Sequence, residues 1–396
     1  MSHQRTLCNR VDSRPVTGPL ESARQVRLDS LTTLRWWAAF GVFAHHILNI
    51  GWISGPLNQF ARFGSFGVTF FFVLSGFVLT WSWRATVNKR TFYWRRFARI
   101  YPLTVVTFVL ALPVFYSFHP DPTQPWVKPV DFGILLLALL LLQGWSRDPV
   151  VLFAGNPAAW TLTVEAFFYA MHPFVTLVLK RFAARGALIA ASCVVAFTFA
   201  LRIAASSGAV PWLDSVPWPL LRFPEFVLGM CLAWAMRNGW RPRIHVAIPM
   251  VLIGAWFSLL ILLRHYPRTT GTYAAVAPYT SEIVIVLCAL MIVAAATAEL
   301  RGGAKILRAR VTVLLGDWSY AFYLIHATLI YAALEIVGRQ APGWPTLLWA
   351  TMLLGASIVA AWLLHAFIER PVEKRMRAWQ DRRNDRQTPS LTSTTT

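Results

Sequence analysis

Acidic side chains are scarce in this chain. Its 396 residues include 17 Asp+Glu against 37 Lys+Arg, a formal net charge of +20, and charged residues of both signs make up only 14%. Soluble domains carry about 25%. A basic protein that binds nucleic acid is polar, whereas here apolar residues reach 56% and aromatics 14%. The shortage of charge excludes a soluble DNA-binder, a disordered chain and an ordinary cytosolic enzyme, so no nucleic-acid partner is expected. Cysteine is scarce too: Cys8, Cys193, Cys231 and Cys288 show no CxxC or metal-type spacing. Neither a disulfide framework nor a metal site is expected. Residues 1–30 hold five arginines and no apolar stretch of signal-peptide length, which argues against a cleavable leader. No phosphate-loop, dinucleotide, zinc-peptidase or nucleophile-elbow pattern stands in a credible context.

What the chain has in excess is long apolar runs. They lie at roughly 32–51, 66–83, 100–117, 132–144, 160–179, 187–205, 219–236, 245–263, 281–298, 312–336 and 346–368. All but one suffice to cross about 30 Å of hydrocarbon. The exception is 132–144, FGILLLALLLLQG, whose length suits a re-entrant element. Lys/Arg placement tests this, because cytoplasmic loops are enriched in these residues. With a cytoplasmic N-terminus and no crossing at 132–144, the stretches 1–31, 84–99, 180–186, 237–243, 300–310 and 370–396 fall inside. They hold 28 of the 37 basic residues, and the outer loops hold six. A crossing at 132–144 would largely erase that asymmetry. The sequence therefore predicts an all-α, polytopic membrane helix bundle with about ten transmembrane helices plus one short re-entrant segment. Cell-membrane localisation and two cytoplasmic termini follow. A polar tail at 1–27 precedes the membrane domain at 28–373, and a basic tail at 374–396 becomes disordered after Arg386.

Ionisable residues inside spans are costly and mark function by default. The first span carries Arg35, His45 and His46. Arg35 can snorkel to the cytoplasmic rim or act in a site; both readings stand. Histidine takes up and returns a proton near neutral pH, as a general base must, and two at this depth favour chemistry over packing. Glu165, in Trp160-Thr-Leu-Thr-Val-Glu165, is the conspicuous intramembrane acid. Counting ~1.5 Å per residue, it falls at nearly the depth of His46, which permits contact; an interhelical hydrogen bond or a capping role is the alternative. Arg96 and Arg99 share a helix face and can fork a phosphate, or they mark topology and touch anionic lipid. Arg222 and Glu225 have the spacing of a self-neutralising pair. His326 either lines the same cavity as the other candidates or bonds between helices, and Tyr169 and Tyr320 are substrate or structural candidates. Glu335 reads as buried. These residues suit either an acyl-transfer enzyme or a proton-coupled transporter or flippase of glycans or lipids, though no internal symmetry of the transporter kind is visible.

Taken in order, seven fragments resemble the membrane acyltransferase-3 family. Arg35 and His46 match its Arg, ten residues, His spacing, and GVTFFFVLSGF at 67–77 its second span. RRFARIYP at 95–102 matches the RxxR element through Arg96 and Arg99. WTLTVE at 160–165, RFPEFVLGM at 222–230, SYAFYLIH at 319–326 and FIERP at 367–371 follow in register. The resemblance covers roughly 28–373. Two departures stand out: the usual LDGLR opening is stretched to LDSLTTLR, and Ala166 and Phe167 replace a polar pair after Glu165. The longer opening is similar to an actinobacterial branch with macrolide O-acyltransferases. The resemblance implies a stand-alone O-acyltransferase. Acyl-CoA, acetyl-CoA in first place, would be its donor, held at Arg96 and Arg99 with Arg35. His46 would be the general base, with Glu165 orienting it, and the acceptor a hydroxyl of a glycan or metabolite.

Overall fold

The computed structural model describes residues 27–51 and 55–387. Apart from Arg27 and Gln387, the predicted N-terminal tail and the predicted disorder after Arg386 lie outside the described residues, as does Cys8. The long elements are α1 (Asp29–Ile47), α2 (Gly67–Trp81), α3 (Lys89–Phe115), α4 (Phe132–Leu139), α5 (Trp160–Leu179), α6 (Ala184–Ser206), α7 (Phe223–Arg237), α8 (Ala247–His265), α9 (Thr280–Leu300), α10 (Arg310–Val337), α11 (Trp344–Leu364) and α12 (Arg370–Gln387). A π-helical turn at His365–Glu369 joins α11 to α12 without a break. The only sheet among the described residues pairs β1 (Tyr116–Ser117) with β2 (Lys128–Pro129).

Nine helical stretches among the described residues are long and apolar enough to cross a membrane. Helix α1 is the tenth span. Its 19 residues measure ~28 Å, and Asp29, Ser30, Thr32, Thr33 and Arg35 lower its hydropathy. Its first backbone amides need acceptors that hydrocarbon cannot supply. The Glu299 carboxylate at the end of α9 provides them, accepting from the Asp29 and Ser30 N–H groups at 3.0 and 2.8 Å.

The run at 132–144 does not cross. Helix α4 has eight residues, ~12 Å of length against a ~30 Å hydrocarbon core. It ends in a Schellman cap: Leu142 N–H bonds Leu137 C=O at 2.8 Å and Leu141 N–H bonds Ala138 C=O at 3.1 Å. Leu141 occupies the left-handed position, φ +56°, where glycine is usual. Helix directions agree. Trp36 meets Phe322 at 4.9 Å and His46 meets His326 at 5.1 Å, so α1 and α10 run parallel, as an odd-numbered first and ninth span must.

The basic loops share one face. Lys180 lies over Trp83, Trp234 Nε1 donates to Phe182 O at 2.9 Å, and Arg237 donates to the carbonyls of Thr80, Trp81 and Trp83. Arg301 reaches Arg241 O at 2.8 Å, while Arg27 pairs with Asp317 at 2.6 Å and Arg308 with Glu299 at 3.4 Å. A crossing at 132–144 would have sent the 180–186 loop to the opposite face.

Without a hydrophobic drive between helices, membrane interfaces rely on close backbone approach at small residues. At the α2–α7 contact a Cβ on Gly76 would collide with the Phe226 carbonyl, and one on Gly229 with that of Val73. We expect Gly76→Val to destabilise the bundle by about 1–3 kcal/mol. Gly254→Ala, where a Cβ meets nothing within 4 Å, should be neutral or slightly stabilising; thermal unfolding in detergent compares the two. Cysteines introduced at Arg84, Arg185 and Lys305 should label from one side of the membrane and one at Arg339 from the other. Labelling of position 185 from the Arg339 side would refute the re-entrant topology.

Candidate active site

Four helices bring Arg35, Arg96, Arg99 and Glu165 together around a cavity of about 160 Å³. Helix α1 contributes Arg35, α3 contributes Arg96 and Arg99, α5 contributes Glu165 and Tyr169, and α10 contributes Ser319, Tyr320 and Tyr323, while α2 supplies an apolar wall of Val68, Phe71, Phe72, Leu74, Val78 and Leu79. The i,i+3 and i,i+4 spacings explain why pairs from one helix point the same way.

The three arginines are not equivalent. Arg99 is held by two carboxylates, Glu369 in the π turn and Glu373 in α12, the latter at 3.3 Å. Glu369 also accepts from His365 at 3.0 Å, and Glu373 pairs with Arg377. Arg35 and Arg96 make no ion pair among the described residues. Arg96 lies over two aromatic faces, Phe92 at 5.9 Å and Tyr169 at 6.0 Å, and its Nε is buried without a hydrogen-bond partner. Ser75 Oγ, on the cavity wall, is likewise buried and unpartnered. Glu165 accepts a hydrogen bond from Tyr169 and is the one carboxylate that lines the cavity, in the field of Arg35, Arg99 and Arg96. Positive charge in this pocket thus exceeds negative charge, as an anionic ligand requires.

Glu165 and His46 are not at one depth. A span that began at the outer face with Trp160 would put Glu165 near the depth of His46, but α5 begins inside the bundle. The chain before it is buried, and Asn156 Nδ2 donates to Leu324 O at 2.7 Å. Leu324 lies ~21 Å along α10. Thr161 bonds Tyr323 at 3.1 Å, so Glu165, one turn further, falls to the level of Tyr320. His46 lies about two turns higher, beside His326.

That upper level is a histidine group. His326 Nδ1 sits 2.7 Å from Tyr323 O and 3.2 Å from Phe322 O. Carbonyl oxygens only accept, so Nδ1 carries the proton and Nε2 the lone pair. His326 Nε2 in turn lies 3.2 Å from His46 Nδ1, which also sits 2.9 Å from Val42 O. His46 therefore bears its proton on Nδ1 and its lone pair on Nε2. One side chain separates the levels: Tyr323 lines the cavity, and its ring packs 5.8 Å from that of His326. His45 turns away, its Nδ1 bonded to Arg62 O at 3.0 Å.

Arg222 and Glu225 pair with each other at 2.7 Å, and Arg202 pairs with Glu282 at 3.0 Å; neither pair lines the cavity. Tyr320 donates to Ile100 O at 2.8 Å and meets Thr104 at 3.1 Å, so it ties α10 to α3. Glu335 is exposed near the end of α10 rather than buried. Glu369 and Glu373, which hold Arg99, were not singled out from the sequence, although Glu369 belongs to the FIERP fragment.

The model of the acyltransferase-3 domain family matches residues 28–366. Acyltransferase MdmB of Streptomyces mycarofaciens is 35% identical over 373 residues, covering 88% of this chain and 92% of that protein. Nodulation protein 10 of Rhizobium leguminosarum is 25% identical, covering 90% of this chain and 96% of its own. O-acetyltransferase OatA of Staphylococcus aureus is 25% identical across 88% of this chain, which spans 57% of that longer protein. No solved structure matches the chain significantly. The arginine-lined cavity, the paired histidines and the helical bundle thus belong to a membrane acyltransferase of the acyltransferase-3 family.

Proposed function

We propose that this enzyme moves an acyl group, acetyl in first place, from acyl-CoA to a hydroxyl of a carbohydrate, a glycan or a glycosylated or macrolide metabolite, with His46 as general base. The observation that carries this reading is the 3.2 Å hydrogen bond between His326 Nε2 and His46 Nδ1. Together with the 2.9 Å contact to Val42 O, it leaves His46 Nε2 as the nitrogen with the free lone pair, which a general base needs. The hydroxyl gives its proton to Nε2 while its oxygen attacks the thioester carbonyl. Collapse of the tetrahedral adduct expels the thiolate, which takes the proton back from the imidazolium. His326 accepts from Nδ1–H in both protonation states, so no ring flip is needed.

Arg35 and Arg96 serve the donor's negative charge, having no carboxylate of their own. Arg99 keeps α3 in place through Glu369 and Glu373. Glu165 and Tyr169 hold the arginine group together instead of orienting His46. The basic face of the bundle is cytoplasmic by the positive-inside rule, both termini with it, in the cell membrane. A cytoplasmic donor then reaches His46 from below, past Tyr323.

Reconstituted protein, with acyl transfer from acyl-CoA followed against a panel of hydroxyl acceptors, tests this. His46→Ala should lower kcat by about 10²–10⁴-fold, with correct insertion verified; a wild-type rate would remove His46 as the base. His326→Gln keeps an acceptor oxygen for His46 Nδ1–H and should retain most of kcat. His326→Phe leaves His46 Nδ1–H only the Val42 carbonyl and should lower kcat well below the Gln variant, with KM for the donor little changed in both. Equal losses in the two variants would mean that His326 only packs.

A further inference from the structure

A second cavity, of about 220 Å³, opens beside the first on the basic face. Leu79 and Arg96 line both, so the Arg96 side chain stands between them. Arg84, Lys89, Arg95, Arg96 and Lys180 line the second cavity, and no acidic residue does. Arg95 has an acidic neighbour, Asp381 at 3.2 Å; Arg84, Lys89 and Lys180 have no carboxylate partner among the described residues. Like charges gathered this closely repel each other unless an anion joins them.

Two further features point to a ligand. His172 is fully buried on the cavity wall, and its Nδ1 has no hydrogen-bond partner. It shares this condition with Arg96 Nε, and an unmet buried polar atom is costly in an interior. The start of α3 also opens here: Lys89 is its first residue, its first turn carries no acid, and Asn88 caps only the Arg90 N–H at 3.0 Å. Its remaining free amides and dipole add to the pull on an anion.

We infer that this cavity is a phosphate site that takes the phosphorylated nucleotide end of the thioester donor, while Arg96 and the first cavity take the part nearer the reacting carbonyl. The inference rests on the acyl-CoA reading above. It places the main phosphate contacts at Arg84, Lys89 and Lys180 and leaves to Arg35 and Arg96 the negative charge nearest the pantetheine arm. Phosphate also occurs in lipid headgroups, and the same charges would hold one at the membrane rim, so the experiment separates the two sources.

The full chain is reconstituted in nanodiscs of neutral lipid, and again with anionic lipid. KM is measured for acyl-CoA and for the same acyl group on pantetheine, which lacks every phosphate. In the wild type the truncated donor should show a KM at least tenfold higher. The exposed-charge variants Arg84→Gln and Lys89→Gln, combined with Lys180→Gln, should narrow that ratio about tenfold by raising KM for acyl-CoA in both lipids. Thermal unfolding of the variants separates this from misfolding. An unchanged KM for acyl-CoA, or an equal rise for both donors, would overturn the inference. Weaker retention of anionic lipid with no change in the donor ratio would assign the cavity to a headgroup and overturn it as well. Wild-type protein that transfers acyl groups but never from CoA would instead sink the donor reading, and this inference with it.

Discussion

A guanidinium inside a lipid-facing bundle has to find its counter-charge within the protein, and the way α3 meets that demand organises the rest of the molecule. Arg95 is matched by Asp381 and Arg99 by Glu369 and Glu373. These contacts pin α3 against α12 and against the π turn that carries His365 and Glu369. A π turn widens a helix locally and recurs at functional sites; here Glu369 within it reaches Arg99. With Arg99 committed, the i,i+3 geometry of α3 leaves Arg96 directed into the cavity with no carboxylate of its own. Removing one partner of a buried pair leaves the other charge uncompensated, the costlier change. The satisfied arginine is therefore the one that holds the scaffold, and the unsatisfied ones are where a ligand is required.

Charge and proton chemistry are kept on separate levels. The arginines, Glu165 and Tyr169 surround the lower cavity, while His46 and His326 sit above Tyr323 among aromatic rings, Phe43 and Phe322 among them. A histidine beside several guanidinium groups would pay for protonation with repulsion. Two turns of helix and one aromatic layer spare the proposed base that cost, and still leave it within one side chain of the cavity. The arrangement suits a reaction in which the anionic part of a substrate and its reacting carbonyl are far apart.

Much of this was legible in the residues. The apolar runs and the one-sided distribution of Lys and Arg foretold the ten spans and the re-entrant segment, because hydrocarbon thickness and membrane charge asymmetry act directly on sequence. Arg35, Arg96, Arg99 and Glu165 could be chosen as candidates because ionisable groups are rare in spans. Their neighbours could not. The pairing of Arg99 with Glu369 and Glu373 spans 270 residues or more, and nothing local announces it. The end of α4 was hidden for a different reason: a leucine, not a glycine, takes the left-handed cap position, so the apolar run looks unbroken. The buried entry to α5 is likewise not announced by the residues before Trp160.

Topology and chemistry here are one constraint. Because α4 turns back, the chain re-enters the bundle before α5 starts, with Asn156 bonded to the middle of α10. Helix α5 then runs toward the basic face and presents Thr161, Glu165 and Tyr169 in that order, from the level of Tyr323 down to that of Arg96. Had the segment crossed, α5 and α10 would both run the other way relative to α1 and α3, and Thr161 rather than Tyr169 would lie at the level of Arg96. The order of residues in WTLTVEAFFY therefore makes sense only with the short α4. The bonds from Asn156 and Thr161 to α10 fix the level that Glu165 occupies.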